Sequence, residues 1–167
     1  ENKIREGYES VKLKIGAIEF KKELNILKFI RDKYAQDIEV RVDANGAYDD
    51  PEVRDVLNHL QGLGVHSIEQ PIAKGNWKLM KALCQERVIP IALDEELIGV
   101  SNTQDKRELL KLIDPQYIIL KPSLHGGVKG CNEWIQLAES MGIGWWLTSA
   151  LESNIGLEMI ARFAAYY

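Results

Sequence analysis

The sequence predicts an α/β fold on three observations: short β-rich runs alternate with longer helical patterns, the connections between them are short, and each of six runs carries a charged or hydroxyl side chain at or next to its C-terminal end. A strand, a helix and another strand joined by short loops implies parallel strands, because each crossover helix returns the chain to the same end of the sheet. The six runs are 10–15 (SVKLKI), 39–43 (EVRVD), 66–69 (HSIE), 90–94 (PIALD), 117–121 (YIILK) and 144–149 (GWWLTS).

After the first run, Phe20, Leu24, Leu27 and Ile30 fall at spacings of four and three, one stripe of a 3.6-residue helix. Asp49-Asp50-Pro51 offers an N-cap and a first-turn proline ahead of Val53, Val56, Leu57 and Leu60, with Gly62 and Gly64 as stops. Further helices are expected over roughly 76–86, 102–113, 128–141 and 154–165. The 167 residues suffice for about one domain with a sizeable core. An apolar share of 46% argues against disorder, and no apolar run approaches the roughly 18 residues of a bilayer span. With 21 Lys and Arg against 25 Asp and Glu there is no basic footprint, so neither nucleic acid nor an anionic membrane is an expected partner. Cys84 and Cys131 are too few and too far apart for a disulfide framework or a zinc knuckle, and as small core residues they suit a reducing, cytoplasmic compartment. The chain opens at Glu1-Asn2-Lys3 without a leader motif and is read as a piece of a longer protein.

The strand ends carry the functional signal. Lys14, Asp43, Glu69, Asp94, Lys121 and Ser149 close the six runs at intervals of 25 to 29 residues, one reactive group per βα unit. In a closed (β/α) barrel such ends converge on one mouth, whereas in an open sheet they would spread over about 25 Å, and convergence favours the barrel. A single polar side chain at a strand end is ordinary, but six in register are not. The flanking residues also alternate correctly: Val11, Leu13 and Ile15 against Lys12 and Lys14, and Val40, Val42 and Ala44 against Arg41, Asp43 and Asn45.

Asp43, Glu69 and Asp94 come from three successive strands and offer only hard oxygen donors, which selects Mg²⁺ or Mn²⁺ over zinc. Three clustered carboxylates would repel one another without a divalent cation. Lys14 precedes the trio and Lys121 follows it, so a barrel would set two amines across the mouth with a small carboxylate substrate between them. Lysine is a poor base at its ordinary pKa near 10.4, but Lys12, a cation and partial burial all favour the neutral amine of Lys14. The reaction class is abstraction of a proton next to a carboxylate, with the metal stabilising the enediolate.

These residues, in this order, resemble the enolase superfamily, whose lysine base and Mg²⁺ form a known pattern. VKLKIG resembles the Lys-x-Lys strand of its muconate cycloisomerase subgroup, VDANGAY, IEQPI and LDEEL its metal-ligand strands, and ILKPS the strand of the opposing lysine. The resemblance implies a partial TIM-type barrel of about six βα units over residues 1–167, covering strands two to seven of the family barrel. The cap domain and the first and last barrel strands would be absent, and the open edges would favour self-association. It implies Lys14 as base and Lys121 as the opposing lysine, with Asp43, Glu69 and Asp94 on Mg²⁺ (or Mn²⁺). Lys12, Asn45 and Glu95 adjoin these groups, and Ser149 and the segment to Glu152 would contact substrate. The closing segment 148–157 resembles a dehydratase of the subgroup, while epimerases, racemases and cycloisomerases share the same lysines and ligands. Gly126-Gly127 reads as a plain βα turn, the four tryptophans as packing, and His125 as the one histidine near the mouth.

Overall fold

Side chains along β1 (Ser10–Lys14) alternate in exposure, Val11 and Leu13 being less exposed than Lys12 and Lys14, as a strand with one polar face requires. The computed structural model describes residues 2–35 and 37–167, the Lys3 side chain excepted. The chain divides into two compact units, residues 1–91 and 92–167.

The first unit holds a short α1 (Asn2–Arg5), β1, α2 (Phe20–Tyr34), β2 (Glu39–Asp43), α3 (Glu52–Gly62), β3 (Ser67–Glu69) and α4 (Trp77–Glu86). β1, β2 and β3 pair in parallel, with Lys14 opposite Asp43 and Asp43 opposite Glu69, so the three charged residues share one level. Beneath that level Val40, Val42 and Ile68 pack among Leu27, Leu57 and Leu60 with at most 1% exposure. Burial of each such side chain contributes about 1.5–3 kcal/mol. Arg31 ties the helix ends together: its guanidinium donates to the carbonyls of Leu63 (2.7 Å), Ile38 (2.7 Å), Ala35 (3.0 Å) and Gly64 (2.6 Å). Those are chain-reversal carbonyls with no helical partner of their own.

The second unit holds all but the first residue of β4 (Ile91–Leu93), a 3₁₀ turn (Glu95–Leu97), α5 (Thr103–Ile113), β5 (Tyr117–Leu120), α6 (Gly127–Ser140), β6 (Gly144–Leu147) and α7 (Asn154–Ala164). β4, β5 and β6 pair in parallel. Leu93, Ile118, Leu120 and Trp134 are fully buried. A Cβ on Gly130, one turn into α6, would lie 1.8 Å from the His125 carbonyl oxygen, so only glycine lets the helix sit against the loop that follows β5.

Every expected strand and helix is present. The boundaries differ at the polar ends: Asp94, Lys121 and Ser149 lie just beyond their ladders, where the backbone turns into the loop. The expected cap of α3 is not formed. Pro51 occupies the N-cap position and makes no side-chain bond, and Asp50 pairs with Arg54 at 3.1 Å instead. Asn76 and Asn102 do cap α4 and α5, accepting from the amides of Leu79 and Asp105.

Candidate active site

At the end of β1 in the first unit, Lys14 reaches across to β2. Its ammonium donates to Asp43 Oδ2 at 2.6 Å and to Asn45 Oδ1 at 2.5 Å. Lys12, one side-chain period below, bridges Asp43 Oδ2 (3.2 Å) and Glu69 Oε2 (3.0 Å). Asp43 and Glu69 are 1% and 2% exposed, so their charges would be costly without these partners. Burial pulls the Lys12 pKa down, but the attraction and hydrogen bonds of Glu69 and Asp43 outweigh it and the net shift is upward. Burial likewise raises Asp43, and the Lys14 bond with the charge of Lys12 more than reverses that, leaving its carboxyl below the usual range. The Lys14 side chain is 62% exposed, so the partial burial expected to favour its neutral form is not supplied by the described residues.

The loops after the three strands lie against one another. Asn45 takes a left-handed conformation (φ 44°), and its amide donates to Asp43 Oδ1 at 3.1 Å, a short turn that holds both side chains toward Lys14. Gly46 N–H donates to the Gln70 carbonyl at 2.7 Å, and Ala44 N–H to that of Glu69.

In the second unit Lys121 forms an ion pair with the buried Asp94, and Glu95 opens the 3₁₀ turn beside it. Ser123 donates to Glu152 at 2.6 Å, and Glu152 also accepts from the Ala150 amide at 2.7 Å. Those bonds hold the Glu152 carboxyl below its ordinary pKa, Ser123 contributing most. Ser149 is half-buried beyond β6. The Lys121 amide donates to His125 Nδ1 at 2.9 Å, which fixes the histidine proton on Nε2. His125 is 5% exposed, and burial pulls its pKa down to about 4, with Asp94 opposing and Lys121 and Lys106 assisting.

His125 therefore contributes stability that is complete above the unfolded value near pH 6.5 and is lost as pH falls toward 4. The loss amounts to about 3 kcal/mol. Urea midpoints measured from pH 7 to pH 4 should fall steeply for the wild type and less for His125→Gln; identical slopes would remove His125 as the cause.

Among the described residues, no three or more His, Cys, Asp or Glu side chains are gathered as a metal-binding group. Within each unit the donor chemistry suits a hard cation: Asp43 and Glu69 in the first and Asp94 in the second are buried carboxylates, and each is met by a lysine ammonium.

A family model described as enolase C-terminal domain-like matches residues 1–167. The chain belongs to the enolase C-terminal domain-like family. It is 51% identical over its full length to the o-succinylbenzoate synthase of Desulfotalea psychrophila and covers 45% of that protein. It is 26% identical to the L-Ala-D/L-Glu epimerase of Bacillus subtilis, covering 99% of this chain and 45% of the relative. The crystal structure of MenC from Desulfotalea psychrophila superposes with a TM-score of 0.93 at 48% identity, over 99% of this chain and 46% of the other. The muconate lactonizing enzyme of Pseudomonas putida gives a TM-score of 0.83 at 28% identity, over 94% and 44% respectively. The chain thus spans a little under half the length of the relatives it matches. Its fold class is the α/β, partial TIM-type barrel of the enolase superfamily that the motifs implied.

In this enolase-family chain, Lys12, Lys14, Asp43, Asn45 and Glu69 are gathered in the first unit, and Asp94 and Lys121 in the second. Sequence reasoning missed Glu23, a buried carboxylate on α2 that binds the loop after Lys14. Its signal was a carboxylate inside the Phe20–Leu24–Leu27 stripe.

Proposed function

We propose that the protein carrying this chain is an o-succinylbenzoate synthase, a Mg²⁺-dependent lyase. It would dehydrate 2-succinyl-6-hydroxy-2,4-cyclohexadiene-1-carboxylate to o-succinylbenzoate in menaquinone biosynthesis. The observation that carries this reading is 51% identity over the whole chain to a relative of that name, against 26% to an epimerase of the same family.

Asp43, Glu69 and Asp94 are the residues that would hold Mg²⁺, which when bound supplies positive charge to the substrate carboxylate. Lys14 takes the proton α to that carboxylate and returns it to the departing hydroxyl, so one water leaves and one carbon–carbon double bond forms. Asn45, bonded to the Lys14 ammonium, orients it. Lys121 stays charged beside Asp94 and faces the negative charge that builds on the ring. Lys12 balances the two buried carboxylates it bridges. Glu95 supports Asp94, which it directly follows, and Ser149 and the Glu152 segment contact the succinyl chain or its carboxylate. A cytoplasmic location belongs to the same reading and is supported by the buried free thiols of Cys84 and Cys131, which a reducing compartment preserves.

The test is turnover by the full-length protein with Mg²⁺, offering the cyclohexadiene carboxylate beside L-Ala-L-Glu, N-acylamino acids and muconate. Dehydration at a kcat/KM at least 10²-fold above the other activities is expected, and preference for any of the others would replace the synthase reading. Residues 1–167 alone should show no turnover and should scatter light as a species larger than a monomer, through the outer edges of β1 and β6.

A further inference from the structure

Glu23 lies on α2, three residues past Phe20 and four before Leu27, inside the stripe that faces the core. Only 4% of it is exposed. A buried carboxylate costs several kcal/mol unless its oxygens are satisfied, and a leucine would fill this position at no such cost. The oxygens are not spent on the N-terminus of α2 itself. They accept from three successive backbone amides in the loop that follows β1: Gly16 to Oε2 at 3.0 Å, Ala17 to Oε1 at 3.2 Å and Ile18 to Oε1 at 3.4 Å. The Tyr48 hydroxyl, itself in a residue only 4% exposed, lies 3.4 Å from Oε2 and donates to it. Burial first, then the Glu23 charge, pushes the Tyr48 pKa upward, so the hydroxyl keeps its proton to donate.

The gripped loop starts two residues beyond Lys14. It is bounded on a second side by the segment after β2: a Cβ on Gly16 would lie 2.4 Å from the Ala47 Cβ, and the Ile15 amide donates to the Asp43 carbonyl at 2.9 Å. Tyr48 follows Ala47 directly. One carboxylate thus joins the chain leaving Lys14 to the chain leaving Asp43 and Asn45.

We infer that Glu23 is a positioning residue for proton transfer, clamping the loop 16–18 and the Tyr48 segment so that Lys14 stays in register with Asp43 and Asn45. The inference rests on the reading of Lys14 as the proton-transfer group. Lys14 is more than half exposed and has few packing contacts to hold it, so its place is set by the backbone at the end of β1. A shift of about 1 Å in such a group lowers the rate about 10²-fold without touching substrate affinity.

Glu23→Gln keeps the shape but replaces one acceptor oxygen with an NH2 that cannot accept, so either the Gly16 amide or, with the side-chain amide flipped, the Ala17 and Ile18 amides lose their acceptor. In the full-length protein, kcat for the cyclohexadiene carboxylate per folded enzyme, the folded fraction being read from the melting amplitude, should fall at least about 10-fold while KM stays within about three-fold; the normalisation removes loss of folded enzyme, which by itself lowers only the apparent kcat. Tyr48→Phe, which removes one hydroxyl and no volume, should lower kcat about three-fold at unchanged KM, and it decides the matter if Glu23→Gln does not fold. Wild-type kcat in folded Glu23→Gln, or in Tyr48→Phe when the other variant is unfolded, with Lys14→Ala inactive, overturns the positioning role alone. Turnover by Lys14→Ala overturns the proton-transfer reading and this inference together.

Discussion

Lys14→Ala in the full-length protein is expected to lower kcat about 10³-fold and to leave the fold and the KM nearly unchanged. The magnitude is that of a removed general acid–base group. Lys14 stands in hydrogen-bond reach of Asp43 and Asn45 but is otherwise open, so truncation leaves no cavity and the loss falls on the chemical step. Lys14→Arg keeps the charge and both bonding partners, yet a guanidinium does not give up its proton at neutral pH. It should be as inactive as the alanine variant. Steady-state kinetics with uptake of deuterium at the substrate α-carbon measure both steps, and near-wild-type rates in either variant would reject the role.

The second large effect is expected at the carboxylates. Asp43→Asn, Glu69→Gln and Asp94→Asn should each weaken Mg²⁺ binding at least about 10-fold and depress turnover in parallel, because each removes one hard anionic donor. Asp43→Asn should be the most severe, since Asp43 alone is contacted by both Lys12 and Lys14 and its loss leaves two ammonium groups facing a neutral amide. Calorimetric Mg²⁺ titration of each variant is the measurement. A variant that titrates like the wild type is not a ligand, and chelation with EDTA should abolish wild-type turnover.

Much of this site was legible because strand periodicity is short and rigid. Once Val40 and Val42 face the helices, Asp43 can only be read at the strand end, and the parallel register then sets it between Lys14 and Glu69. What escaped was chemistry set by partners distant in sequence. Glu23 lies inside an apolar stripe, and the reason for its burial, the amides of 16–18, lies outside the period of its own helix. Lys106 lies equally deep, 2% exposed on α5, and its reason is Glu133 at 2.8 Å on α6 with the Trp134 ring 5.3 Å away, a pairing across 27 residues that no local pattern encodes. The Asp49-Asp50-Pro51 cap failed for a local reason: the proline took the capping position itself, and the aspartate side chain turned to Arg54. The three-residue turn 95–97 is too short to show any period.

The nesting of the strand-end loops in the first unit bears on how such an enzyme could be re-engineered. Gly16 abuts Ala47, and a Cβ on Gly46 would lie 3.1 Å from the backbone of Ala73, both glycines having positive φ. Saturation mutagenesis at either position would return almost no survivors, because every replacement meets a steric barrier and a conformational one at once. Ile155, 77% exposed on α7, carries neither penalty, and Leu151, 98% exposed, meets no steric barrier although its φ is also positive (65°). Directed evolution would therefore draw its useful diversity from the segment after β6, while the loops after β1 and β2 stay fixed by their packing.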